Sequence, residues 1–129
     1  MKRVLGLIVL VAVAAFAVTA FAEKAMEKAK PTILKGELVD MGCYIARGAM
    51  GEKHKECGTK CIAGGMPMGI LAGSKLYLVT LNHDNPDAFN KLKDWAGQMV
   101  EVTGTVAVKD GIKSIDVTDA KPAATAATK

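Results

Sequence analysis

Residues 85–108 read NPDAFNKLKDWAGQMVEVTGTVAV, and two periodicities meet inside them. The first half predicts a helix. Asn85 is a good N-cap side chain, Pro86 suits the first helical position, and Asp87 puts negative charge in the first turn. Phe89, Leu92 and Ala96 give that helix one apolar face, and Gly97 stops it. The second half predicts a strand. Val100, Val102, Val106 and Val108 keep one parity across Gly104, as a long curved strand does.

Working outward, Asp110-Gly111 is a tight-turn signal, and Ile115 and Val117 alternate in a last strand. Upstream, Gly69 to Leu81 reads as a hairpin: Ile70-Leu71, a turn at Gly73-Ser74, then Leu76 to Val79. Ile33 to Met41 reads as a first strand, with Gly36 as a bulge or bend. There is no internal repeat. The chain is therefore expected to be mainly β, in the order β-β-β-α-β-β. A helix between the third and fourth strands is the order of the OB-fold, a small partly open β-barrel. Residues 43–68 lie between strands 1 and 2 as a helical insert carrying Cys and His.

The flanks are of other composition. Lys2 and Arg3, the uncharged apolar stretch from Val4 to Val18, and Ala20-Phe21-Ala22 have the layout of a secretory signal peptide with cleavage before Glu23. Residues 23–31 form a charged, Ala-rich leader, 32–120 the barrel domain, and 121–129 (KPAATAATK) a tail expected to be disordered. Removal of 1–22 leaves 107 residues with 15 basic against 13 acidic groups, a net +2. That is one domain with a modest core and too little positive charge for a nucleic-acid partner. The mature aromatics, Tyr44, Tyr77, Phe89 and Trp95, do not supply a base-stacking platform either. The expected location is periplasmic or secreted, with no membrane contact after cleavage.

The insert holds the chemistry. All three cysteines, Cys43, Cys57 and Cys61, and one of the two histidines, His54, fall within nineteen residues. If Glu52 to Ile62 is helical, His54, Cys57 and Cys61 stand at i, i+3 and i+7, within an arc of roughly 60°. Cys43 is expected to approach from the end of the preceding strand. Three thiolates and an imidazole suit a four-coordinate thiophilic ion: zinc as Cys₃His, or cuprous copper on two or three thiolates. Met66 and Met68 are further candidates as soft ligands, against the plainer reading of adaptable packing. Lys53, Lys55 and Lys60 are expected to favour thiolate. Asp40 reads as an exposed strand charge, Glu37 as a local hydrogen-bonding residue, and His83 as a solvated loop residue.

Asp40-x-x-Cys43, His54, Cys57-x-x-x-Cys61 and the Val100-x-Val102-x-Gly104-x-Val106 strand together resemble a group of small exported bacterial proteins. The resemblance covers roughly Gly36 to Val117. It implies an OB-like fold and an exported location, and it carries no reaction with it. The chain departs from that pattern in Met41, Met50, Met66 and Met68 and in the Gly-Met-Pro-Met-Gly run.

Three functions stay open at this level. The first is binding of zinc or copper, as a carrier, chaperone or metal-stabilised module. The second is a periplasmic interaction module stapled by a disulfide of Cys43 with Cys57 or Cys61, with another exported protein as partner. The third is a thiol redox protein cycling through Cys57 and Cys61. No Cys-x-x-Cys-His occurs for covalent haem, and a Cys/His pair alone does not make a hydrolase, so no enzymatic activity is expected.

Overall fold

The computed structural model describes residues 30–123. The segment expected to be a signal peptide, most of the expected leader and residues 124–129 of the tail lie outside them. The described chain runs β1 (Thr32–Asp40), α1 (Met41–Arg47), a 3-10 turn (Glu52–His54), α2 (Lys55–Ala63), β2 (Met68–Ala72), β3 (Lys75–Leu81), α3 (Asp87–Leu92), β4 (Met99–Lys109) and β5 (Ile112–Pro122). The strands close into a barrel in the order β1-β2-β3-β5-β4. The pairs are antiparallel except β3 with β5, which is parallel. This is the mainly β, OB-like architecture expected, with the helical insert between strands 1 and 2.

The turns follow their residues. Ala72 pairs with Lys75 across Gly73-Ser74, and Lys109 pairs with Ile112 across Asp110-Gly111. Asp110 and Gly111 both take positive φ, 51° and 83°, which matches a two-residue hairpin turn to the strand twist. The bend in β4 lies at Thr103/Gly104, where the register with β5 shifts. A side chain at Gly104 would collide with the Asp116 carbonyl, so the bulge is possible only at glycine. No register shift occurs at Gly36. There β1 passes from β4 to β2, and the Leu71 carbonyl crosses too close for a side chain.

Leu38, Ile70, Val100, Val102, Ile115 and Val117 point inward and are fully buried. Helix α3 supplies Ala88 and Leu92, with Ala96 just beyond it, to the same cluster. Complete burial of one such Leu stabilises by about 1.5–3 kcal/mol. Ile62 joins the cluster from α2 and ties the insert to the barrel.

Four expectations change. Asn85 does not cap α3; its side chain donates to the Thr118 carbonyl, while Asn82 Oδ1 accepts from the N–H groups of Asp84 and Asn85. Cys43 is not at a strand end but in the first turn of α1. Met68 is not in the insert but opens β2, opposite Asp40. β5 runs past Ala120 through Pro122, and Lys121 pairs with Glu101, which also meets Lys35. Lys121 first and Lys35 second hold the Glu101 carboxyl below its usual pKa. No helix among the described residues is long and apolar enough to cross a membrane.

Candidate metal centre

The centre begins at Asp40, the last residue of β1 and the N-cap of α1. Its Oδ1 accepts from the Cys43 N–H at 2.8 Å. An N-cap side chain satisfies the N–H three residues on, so the Asp-x-x-Cys spacing has a mechanical meaning. It starts a seven-residue helix at the barrel rim and fixes where Cys43 sits. Gly48, left-handed at φ 68°, closes that helix by donating to the Cys43 and Tyr44 carbonyls. The chain then turns through Gly51, whose N–H donates to Glu37, and enters the 3-10 turn and α2.

α2 carries Cys57 and Cys61 one turn apart, and the 3-10 turn sets His54 ahead of them. The ligand atoms of Cys43, His54 and Cys57 all lie within 4.8 Å of one another. Those of Asp40, Cys43 and Cys61 form a second such group. Cys43 belongs to both. The four residues singled out from the sequence are thus divided between two groups that share Cys43: His54 and Cys57 fall in one, Cys61 with Asp40 in the other. All three cysteines are free thiols: Cys57 is exposed, and Cys43 and Cys61 are half-buried.

Among the described residues Asp40 is the buried charged side chain, not an exposed one; it is fully covered. Oδ2 meets His54 Nε2 at 2.7 Å, so both oxygens are engaged. Burial works to raise its pKa. The Cys43 N–H, the His54 hydrogen bond and the His54 charge outweigh burial and hold the carboxyl below the ordinary range. Gly58, buried in α2, lets that helix approach: a Cβ there would press on Ala96 and come into contact with His54 and Asp40.

The electrostatics differ from expectation. Lys55 pairs with Glu52 at 3.3 Å and Lys60 with Glu56 at 2.7 Å, so neither aims its charge at the sulfurs alone. The cation on the site is Arg47, whose Nη2 donates to Cys43 Sγ at 3.0 Å. That hydrogen bond, with the charge of the sulfur, raises the guanidinium pKa. Burial pushes the Cys61 thiol up, and the neighbouring Cys57, Cys43 and Asp40 push the same way.

The Met66 N–H donates to the Cys61 carbonyl at 2.9 Å. Met68 is 2 % exposed and belongs to the barrel core. Met66 packs its sulfur over Gly42 and lines an apolar groove with Met41, Ile45 and Pro67 on that side of α1. His83 is exposed. Comparison with protein-family models, with curated proteins and with solved structures finds no match to this chain.

Thiols, an imidazole and a carboxylate at this spacing could hold a metal ion. Sequence reasoning missed Asp40 and Arg47. Both had a signal: Asp40 stands at cap spacing before Cys43, and Arg47 stands at i+4 after it, one turn along the same face.

Proposed function

We propose that this chain is an exported small barrel that binds one thiophilic metal ion, zinc or cuprous copper. Cys43, Cys57 and Cys61 are the thiolate ligands and His54 the nitrogen ligand, and the protein acts as a metal carrier, chaperone or metal-stabilised module. The ion is its primary partner, and another exported protein is the natural donor or acceptor. The observation that supports this reading is the pair of overlapping 4.8 Å groups, Cys43 with His54 and Cys57 and Cys43 with Cys61 and Asp40, drawn from two separate helices, a turn and a strand end. A fold that only needed a staple requires two cysteines and neither the histidine nor the buried carboxylate behind it. Export rests on the layout of residues 1–22.

The test is metal uptake by the reduced protein lacking residues 1–22. One zinc or cuprous ion per chain is expected, with a raised melting temperature, since a ligand bound by the native state alone stabilises it by mass action. Cys43→Ser, Cys57→Ser and Cys61→Ser should each weaken uptake strongly, and His54→Ala less. A quantitative intramolecular disulfide in protein from the natural compartment, with no metal uptake after reduction, overturns the reading in favour of the stapled module.

A further inference from the structure

The Asp40 carboxylate does more than cap a helix. A carboxylate has only acceptors, so the 2.7 Å contact at Oδ2 requires Nε2 of a neutral His54 to carry the proton. The lone pair then lies on Nδ1. We propose that Asp40 is the positioning residue of the centre, holding His54 as the Nε2–H tautomer and so presenting Nδ1 as the nitrogen ligand; this rests on the metal reading above. In this reading Asp40 stands outside the ligand set: one of its oxygens lies within 4.8 Å of the ligand atoms of Cys43 and Cys61, but each oxygen already commits one of its two lone pairs to a protein N–H, and the side chain is fully buried. One fully buried group thereby sets two ligands from different elements: Cys43 through the backbone of α1, and His54 through its ring. Outer carboxylates of this kind fix ring orientation and raise the basicity of the metal-facing nitrogen.

Asp40→Asn separates this role from capping. Asn is as good an N-cap as Asp, so its Oδ1 keeps the Cys43 N–H. What then faces Nε2 is an amide NH₂, a donor only. Nε2 must give up its proton to accept, the proton moves to Nδ1, and the lone pair meant for the ion is lost. If the amide turns over to preserve the contact to His54, its NH₂ opposes the Cys43 N–H and the cap is lost instead.

The experiment reads the tautomer directly, by nitrogen NMR of the imidazole in metal-free protein at a pH where His54 is neutral. The wild type should show Nε2–H and Asp40→Asn should show Nδ1–H. Zinc affinity of Asp40→Asn should fall about ten- to a hundredfold, to the level of His54→Ala. The cobalt-substituted variant should show a spectrum of reduced nitrogen ligation, while the far-ultraviolet dichroism of the barrel is retained. Wild-type protein with Nδ1–H overturns the proposal whether or not Asp40→Asn folds. So does an Asp40→Asn protein that keeps Nε2–H and wild-type affinity. The metal reading fails separately: if the tautomers behave as stated and no ion is taken up, Asp40 positions His54 and the site is not a metal centre.

Discussion

The Arg47 guanidinium lies one turn beyond Cys43 on α1 and donates to its sulfur at 3.0 Å. Arg47 is exposed, so its attraction for a negative sulfur is screened by salt and should be modest. Replacing Arg47 by Gln should weaken zinc or cuprous uptake by a few-fold at low ionic strength, and by less at high salt. Competition titrations at two salt concentrations check this. An effect as large as that of Cys43→Ser would instead mean that Arg47 holds α1 together.

Asp40 predicts an acid limit to stability. Its pKa is held below the unfolded value, so the carboxylate contributes stability that is fully present above about pH 4 and lost as pH falls through its lower folded value. Denaturant unfolding of the metal-free protein should therefore lose stability steeply below pH 4. Asp40→Asn should be less stable at neutral pH, with a shallower loss in acid. Parallel pH curves for the two proteins would assign the acid limit to other carboxylates.

The barrel was legible because its signals are local. The valine parity of β4, the Asp110-Gly111 and Gly73-Ser74 turns and the apolar face of α3 each depend on neighbouring residues alone. The placing of Cys57 and Cys61 one turn apart was legible from helical spacing; His54 stands ahead of that helix in the 3-10 turn and groups with Cys43 and Cys57, while Cys61 groups with Cys43 and Asp40. Asp40 was misread because a strand-end Asp is ordinarily solvated; its burial depends on His54, fourteen positions away, folding back over it. Lys55 and Lys60 were misread because a charge in sequence is not a charge at the sulfur: they pair with Glu52 and Glu56, three and four residues before them. Cys43 was placed on the strand because a seven-residue helix starting at a cap leaves little periodicity to read.

Burial first, and the surrounding thiols second, push the Cys61 thiol up, so it holds its proton to higher pH than a solvated cysteine. An ion must displace that proton, and binding should release protons and tighten as pH rises. The downward slope of log Kd against pH equals, in magnitude, the number of protons released. Cys61→Ser should reduce that slope by about one at neutral pH, since one fewer thiol must ionise. Calorimetry of zinc binding in two buffers of different ionisation enthalpy measures the proton count. An unchanged count would mean that Cys61 does not join the ion.

The insert reaches the site by resting on Gly97. Gly97 has φ +72°, and a Cβ there would lie 2.7 Å from the Gly51 carbonyl oxygen and 3.2 Å from Lys55 Cα. Its N–H donates to the Leu38 carbonyl at 2.7 Å, so it cannot easily retreat. Gly73 is also left-handed, at φ +61°, but a Cβ there meets nothing within 4 Å. Gly73→Ala should thus cost only the backbone strain, about 1–2 kcal/mol. Gly97→Ala adds a collision with the segment that carries His54 into place. It should be the more destabilised of the two in denaturant unfolding, and it alone should bind zinc more weakly. Equal binding by both variants would show that His54 is set by Asp40 without help from the loop resting on Gly97.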